Sequence, residues 1–388
     1  MEGQPSRMWP IGLGIAGGLV MVFAVAGLLG WRALTRFFLR QYYEGNYHPL
    51  ELTTEEVGDY PAEHLLDNVP WIATRETLCQ SNSLQMIAAQ QGIEQPRRYF
   101  DFLMGFTYGA SEIPGGLGFF PGTDPETGFV VAAPYLGLIR RYYVTDDEAL
   151  YLDALRYYLA QGFPVRVGLD YGKLHDMEEG APHSDLLVGY DGAGFHYYET
   201  VCIPPAPCQP GYLAPGERGL HVPDDKLLEA VRDQAEMLEY PWRYSLSIFE
   251  TGPLEQDLRP IWTRNGRSLI GGAQYGPRQG ADVVDGLATE IEKRGTSIDA
   301  TEIRPGLEVA VCVRQENADY LREAFSGNAD LEQAAGLFDR ASGNYQAVLD
   351  AIEDGVGDRA EAEQIATWLR DAAAAEREVG EIFVTRGK

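Results

Sequence analysis

Basic side chains are scarce in this chain, and lysine is nearly absent. Of its 388 residues, 31 are Lys or Arg and 58 are Asp or Glu, which gives a formal net charge of -27. Lys173, Lys226, Lys293 and Lys388 are the only lysines. No basic stripe is available to meet a phosphate backbone, which argues against nucleic acid as a partner. Cysteine is scarce as well. Cys79, Cys202, Cys208 and Cys312 are too few and too scattered for a disulfide framework. No CxxC or HExxH pair occurs, so spacing offers no metal centre. Gly12, Gly14 and Gly17 spell GxGxxG, but no strand precedes them, and no cofactor is implied. Cys202 and Cys208 bracket a CIPPAPC loop that would bridge only in an oxidising compartment. With 45% hydrophobic residues, the chain has material for two globular domains.

The run Ile11–Leu29 carries no charge. As a helix it would span about 28 Å, close to the hydrocarbon thickness of a bilayer. Its glycines suit a membrane helix better than a soluble one. Arg7 is the only base before it, and the run is long for a signal-peptide core, so a retained single-pass anchor is expected. Arg32, Arg36 and Arg40 follow the run, which favours the cytoplasmic side for the rest of the chain. Tyr42–Pro70 has no helical or alternating periodicity and reads as a linker. The expected division is an anchor over 1–45, an α+β domain over 46–252, and a helical domain over 253–388.

Thr77 with Gln80 has the form of a capping box, which predicts a helix from Leu78 to Gly92 with Cys79 in its first turn. Unpaired N–H groups and the positive end of the helix dipole favour a thiolate there. Standing alone, such a cysteine is more often a small buried apolar residue. Arg97–Gly109 and Thr145–Gln161 read as helices, and Glu112–Gly122 as a Gly/Pro-rich loop that either lines a cleft or merely connects. Three strands follow: Phe163–Leu169, Ser184–Tyr190 and Phe195–Thr200, the last two joined by an Asp-Gly turn. His183 opens the second strand, and Glu199 lies near the end of the third, where the two can face each other. Asp185 is a rival acid, though side chains two apart on a strand point in parallel. Asp170 either reaches the cleft or caps a turn, and His175 and His196 read as surface residues. A helix from near Pro223 and a strand Trp242–Thr251 complete this part. Beyond Pro253, the segments Val283–Lys293, Gln315–Ser326, Leu331–Ala347 and Arg359–Gly380 have helical spacing.

A cysteine at a helix start, a histidine at a strand start and an acid sixteen residues later form the order used by papain-like thiol enzymes. NVPW before CQSNSLQMI, the PGGLGFF loop, QGFPVRVGLDYGKL, PHSDLLVGYDGAGFHYYET and WRYSLSIFE carry a resemblance over Val69–Thr251. The segment resembles the peptidase C39-like branch of the papain-like superfamily, and within it the butirosin biosynthesis protein H family. Leu254–Lys388 resembles the C-terminal domain that accompanies that family. The resemblance implies a papain-like fold and a Cys79 nucleophile, with His183 as base and Glu199 as the acid that orients it. It also implies acyl transfer from a carrier-protein thioester to an amine; the C39 peptidases cleave peptides instead. Two departures stand out. Peptidases of this group carry a Gln about six residues before the Cys, where this chain has Ala73-Thr74-Arg75, and Gln80 stands where they carry Gly. A non-catalytic binding or scaffold protein on the same fold is therefore a third expectation.

Overall fold

The computed structural model describes residues 38–74, 78–113, 116–201, 219–272, 278–353 and 355–388. The expected anchor Ile11–Leu29 lies outside these residues, as do Arg75, Thr77 and the Cys202–Cys208 loop. Among the described residues no helix is long and apolar enough to cross a membrane.

The chain is α+β. Its strands are β1 (Leu50–Glu51), β2 (His64–Leu65), β3 (Ser111–Glu112), β4 (Phe119–Phe120), β5 (Leu138–Thr145), β6 (Val165–Asp170), β7 (Pro182–Asp191), β8 (Gly194–Tyr198), β9 (Leu220–Val222) and β10 (Tyr244–Thr251). The helices are α1 (residues 38–47), α2 (Cys79–Gln90), α3 (Arg97–Met104), α4 (Pro125–Ala132), α5 (Glu148–Ala160), α6 (Tyr171–Leu174), α7 (Asp224–Met237), α8 (Arg259–Ile270), α9 (Ala281–Arg294), α10 (Ala300–Ala324), α11 (Ala329–Ala351) and α12 (Arg359–Arg386). One mixed sheet of eight strands runs β1-β5-β10-β6-β7-β8-β9, with β2 also pairing β7.

Local sequence explains the elements around the middle of this sheet. Helix α2 stops where Gly92 takes a left-handed φ of 80° and Ile93 N–H returns to Ala88 O. Helix α5 starts at Asp147, whose carboxylate accepts from the N–H groups of Ala149 and Leu150. It buries Tyr151, Ala154, Leu155, Tyr158 and Leu159, with Leu150 partly buried against the same core. Strand β6 is buried along its whole length, as a central strand covered on both faces should be.

Two expectations are corrected here. Tyr42–Pro70 is no bare linker: β1 adds a parallel strand beside β5, and β2 pairs β7 with His64 opposite Tyr190. Strands of two residues are too short to show alternation. The segment is also fixed by aromatics, because Tyr43 and Tyr47 pack with Tyr142, Tyr240 and Trp242, and Tyr43 Oη donates to Leu238 O at 2.6 Å. Strand β5 was not foreseen either. Arg140 and Arg141 interrupt its apolar pattern, yet it pairs with β10 along its whole length. Arg141 meets Glu250 at 2.9 Å, and buried Arg140 pairs with Glu126.

Helices α8 to α12 pack on one another and, through α3, on the rest of the molecule. Trp262 of α8 lies 4.6 Å from Phe102 of α3 and 4.8 Å from Phe383 of α12, inside one continuous apolar core. Arg314 of α10 is wholly buried at this junction. Its guanidinium donates to Glu376 of α12 at 2.7 Å, Thr107 O at 2.6 Å and Gly109 O at 2.7 Å. Tyr345 of α11 donates to the same carboxylate at 2.8 Å. Removing one member of such a pair leaves the other charged and dry. Arg314→Met is expected to cost about 3–5 kcal/mol in denaturant unfolding. A cost within experimental error would mean that the junction does not depend on this charge.

Candidate active site

Cys79 is the first residue of α2, so the first N–H groups of the helix, which lack intrahelical acceptors, surround its backbone. His183 is the second residue of β7, and Glu199 follows the last residue of β8. All three are buried. The antiparallel pairing of β7 and β8 sets Leu186 opposite Tyr198, which brings the start of one strand beside the end of the other. The expected partners therefore meet. His183 Nε2 lies 2.6 Å from Glu199 Oε1, and the Cys79 thiol is near enough to the same imidazole to help raise it. With Nε2 taken by carboxylate, Nδ1 is the ring nitrogen left for the thiol.

Sequence reasoning missed part of this cluster. Asp185 also reaches His183 Nε2, at 3.2 Å, and accepts from Thr200 N at 3.3 Å. The choice of Glu199 over Asp185 fits the shorter contact, but the ring faces both acids. His175 is no surface residue. Its side chain is 8% exposed, and its Nε2 lies 2.9 Å from Glu199 Oε2. The reading of a polar, turn-flanking sequence failed because α6 is four residues long and Tyr171 covers both rings, 4.4 Å from His175 and 5.1 Å from His183. His196 is buried too, away from this cluster. Asp170 is a turn cap: its Oδ1 accepts from Gly172 N and Ala181 N. Backbone contacts hold Glu199 in place, with Trp71 Nε1 donating to its carbonyl at 2.8 Å and the Trp71 ring stacked on Tyr198.

Arg166 of β6, fully buried, braces the nucleophile against the base. Its Nη2 donates to Gln80 Oε1 at 2.9 Å, its Nε donates to Ser184 Oγ at 2.8 Å, and its third partner is the Glu126 carboxylate. Gln80 and Ser184 are the residues immediately after Cys79 and His183. Ser83 of α2 adds a hydroxyl contact to Ser184 at 3.1 Å. At the position of the missing Gln, Thr74 Oγ1 accepts from Asn82 Nδ2 at 3.0 Å; Arg75 lies outside the described residues.

The electrostatics favour a charged ring. Burial alone would lower the His183 imidazole, but the charges of Asp185 and Glu199 and the hydrogen bonds with Asp185 and Cys79 outweigh it, holding the ring well above its ordinary value of 6.5. Burial would raise Glu199, yet the His183 charge, hydrogen bonds from both histidines and the Val201 N–H keep it below the usual carboxylate range. Asp185 is pushed up by burial and by the Glu199 charge. The cluster can thus take a thiol proton onto an imidazole and stabilise the cation that forms.

His183, Asp185 and Glu199 also converge as three ligand types. Two ligands of one tetrahedral ion at about 2.0–2.1 Å would stand about 3.3 Å apart. The 2.6 Å contact between His183 and Glu199 is a hydrogen bond by that measure. No family model matches the chain, and no curated protein matches it.

The raised imidazole and lowered Glu199 carboxyl have a signed consequence. The Glu199 contribution is present above about pH 4.5 and is lost on acidification; that of His183 is complete below about pH 6.5 and lost as pH rises through the folded value. In denaturant unfolding, His183→Asn is therefore expected to cost most stability near pH 6 and progressively less in alkaline buffer. A cost that grows with pH would place the proton elsewhere.

Proposed function

We propose that this chain is a cysteine-dependent acyltransferase on a papain-like arrangement, passing an acyl group from a thioester donor through Cys79 to an amine. The observation that carries the reading is the Cys79–His183–Glu199 cluster: a buried thiol at a helix start, beside an imidazole whose Nε2 is held at 2.6 Å by a buried acid. Its order along the chain and its supporting elements agree with the resemblance to the butirosin biosynthesis protein H family.

In the first half-reaction His183 takes the Cys79 proton, and the sulfur attacks the donor thioester carbonyl. The oxyanion forms against the N–H groups that open α2. Collapse expels the donor thiolate, which leaves with the proton held on His183. In the second half-reaction an amine attacks the Cys79 acyl thioester, His183 takes its proton, and Cys79 is released as a thiol when the amide forms. Glu199 keeps the ring oriented and offsets its charge in both steps, while His175 holds the other oxygen of the same carboxylate. The donor is a carrier protein bearing an acylated phosphopantetheine thiol. The uncharged run Ile11–Leu29 anchors the chain in a membrane as a single pass, with the folded part on the cytoplasmic side.

Peptide cleavage by the same group is the second reading, and the resemblance to C39 peptidases supports it. Against it stands the absence of a Gln before Cys79, where this chain has Ala73-Thr74-Arg75. The two readings separate by acceptor. With an acyl-cysteamine thioester as donor, the detergent-solubilised full chain is expected to gain one acyl group on Cys79 by mass spectrometry and to release it to added amines faster than to water. Release to water alone would favour hydrolysis.

Thiol reactivity tests the catalytic reading as a whole. Iodoacetamide is expected to alkylate Cys79 well below the pH that an ordinary thiol needs, and His183→Ala to slow this by about 100-fold at neutral pH. Glu199→Gln should slow it less. Alkylation indifferent to His183 would leave a binding or scaffold protein on this fold.

A further inference from the structure

A second histidine cluster lies at the opposite end of the β7–β8 hairpin. Strand register puts it there. His196 of β8 pairs directly with His221 of β9, and Asp191, the last residue of β7, pairs with Gly194, two residues before His196. Residues opposite each other, and residues two apart, share a face, so all three side chains point to the same side of the sheet. His196 Nε2 lies 3.2 Å from Asp191 Oδ2, and His221 Nε2 lies 3.5 Å from Asp191 Oδ1. The rings stand 5.1 Å apart, and both aim Nε2 at one carboxylate. His196 is buried, while His221 and Asp191 are each partly open to solvent.

We propose that Asp191, His196 and His221 bind one divalent transition-metal ion, with Zn2+ best matched to the two imidazoles and one carboxylate. His196 Nε2 is within hydrogen-bond distance of Asp191 Oδ2, but the three potential ligand atoms also lie within 4.8 Å of one another, close enough to share one ion. At 3.5 Å the His221 contact is too long for a hydrogen bond. One imidazole stands on each carboxylate oxygen, at 3.2 Å and 3.5 Å, near the edge of about 3.3 Å between neighbouring ligands of a tetrahedral ion with bonds of about 2.0–2.1 Å, so a small rotation of the carboxylate would present one oxygen to both. Asp191 is already oriented, because Ala193 N donates to its Oδ1 at 2.8 Å, which is the kind of outer contact that fixes a metal-ligating carboxylate. Three protein ligands leave a fourth position for water. The ion would fasten the three-residue edge strand β9 to the β7–β8 turn. It stands apart from the Cys79 cluster and does not rest on the proposed chemistry there.

The test is a Zn2+ titration of the chelator-stripped full chain in detergent, read by competition with a chromophoric zinc indicator, with Co2+ absorption as a report on geometry. One Zn2+ per chain and tetrahedral-type visible bands for Co2+ are expected. His221→Ala and Asp191→Asn, at the two solvent-facing positions, should each weaken Zn2+ by at least about tenfold, while Cys79→Ser leaves affinity unchanged. Failure to bind Zn2+, or binding that is insensitive to both His221→Ala and Asp191→Asn, would overturn the proposal. So would loss of the ion in Cys79→Ser alone, because that would place it at the other end of the hairpin.

Discussion

A guanidinium with no water around it must find protein partners, and Arg166 at the centre of the sheet finds one for each of its three nitrogens. Its partners come from three elements: Gln80 on α2, Glu126 on α4 and Ser184 on β7. Glu126 is shared with Arg140 of β5, so one buried carboxylate answers two buried cations. Burial alone would raise the Glu126 carboxyl, but the two guanidinium groups outweigh it and keep the acid ionised. A shift of α2 along β7 would break the Gln80 bond to the buried Arg166 guanidinium and the Ser83–Ser184 contact, leaving buried polar groups unpaired, which is expensive. The spacing of Cys79 and His183 is thus held by buried hydrogen bonds around Arg166 as well as by apolar packing.

The same network shows what sequence can and cannot disclose. The placing of Cys79, His183 and Glu199 was legible because it depends on position within an element, at a helix start, a strand start and the end of a hairpin partner. Those positions follow from caps, turns and alternation. Gln80, Ser184 and Glu126 were not legible as members of the site, because a polar residue in sequence does not announce the arginine it faces. His175 was misjudged for a related reason: its partner Glu199 lies 24 residues away, and the four-residue helix that carries it has no periodicity to read. His196 was misjudged because its burial depends on β9, a strand of three residues.

At the level of the fold, elements longer than about one turn or five strand residues came through, and shorter ones did not. Helices α1, α4 and α8 are exceptions, and so is strand β5, eight residues long and yet unforeseen. Its arginines look like solvent-facing charge until Glu126 and Glu250 are placed opposite them. In the helical part, α10 runs on from Ala300 through Pro305, which lies inside the helix near its beginning, so a reading that began at Gln315 captured only its second half. A proline there removes only one intrahelical bond, and the packing of Ile303, Leu307 and Ala310 maintains the helix across it.

The aromatic clasp around α1 has a mechanical meaning. Tyr43 and Tyr47 are held edge-on by Tyr240, and Tyr43 is also bonded to Leu238 O between α7 and β10. Residues 38–47 are therefore joined to the sheet by a stiff hinge pin rather than by a swivel. A tilt of that helix is handed to β5 and β10 as a tilt of the whole sheet. A pull on residue 38 is therefore borne first by ring contacts and the Tyr43–Leu238 bond before it reaches any strand.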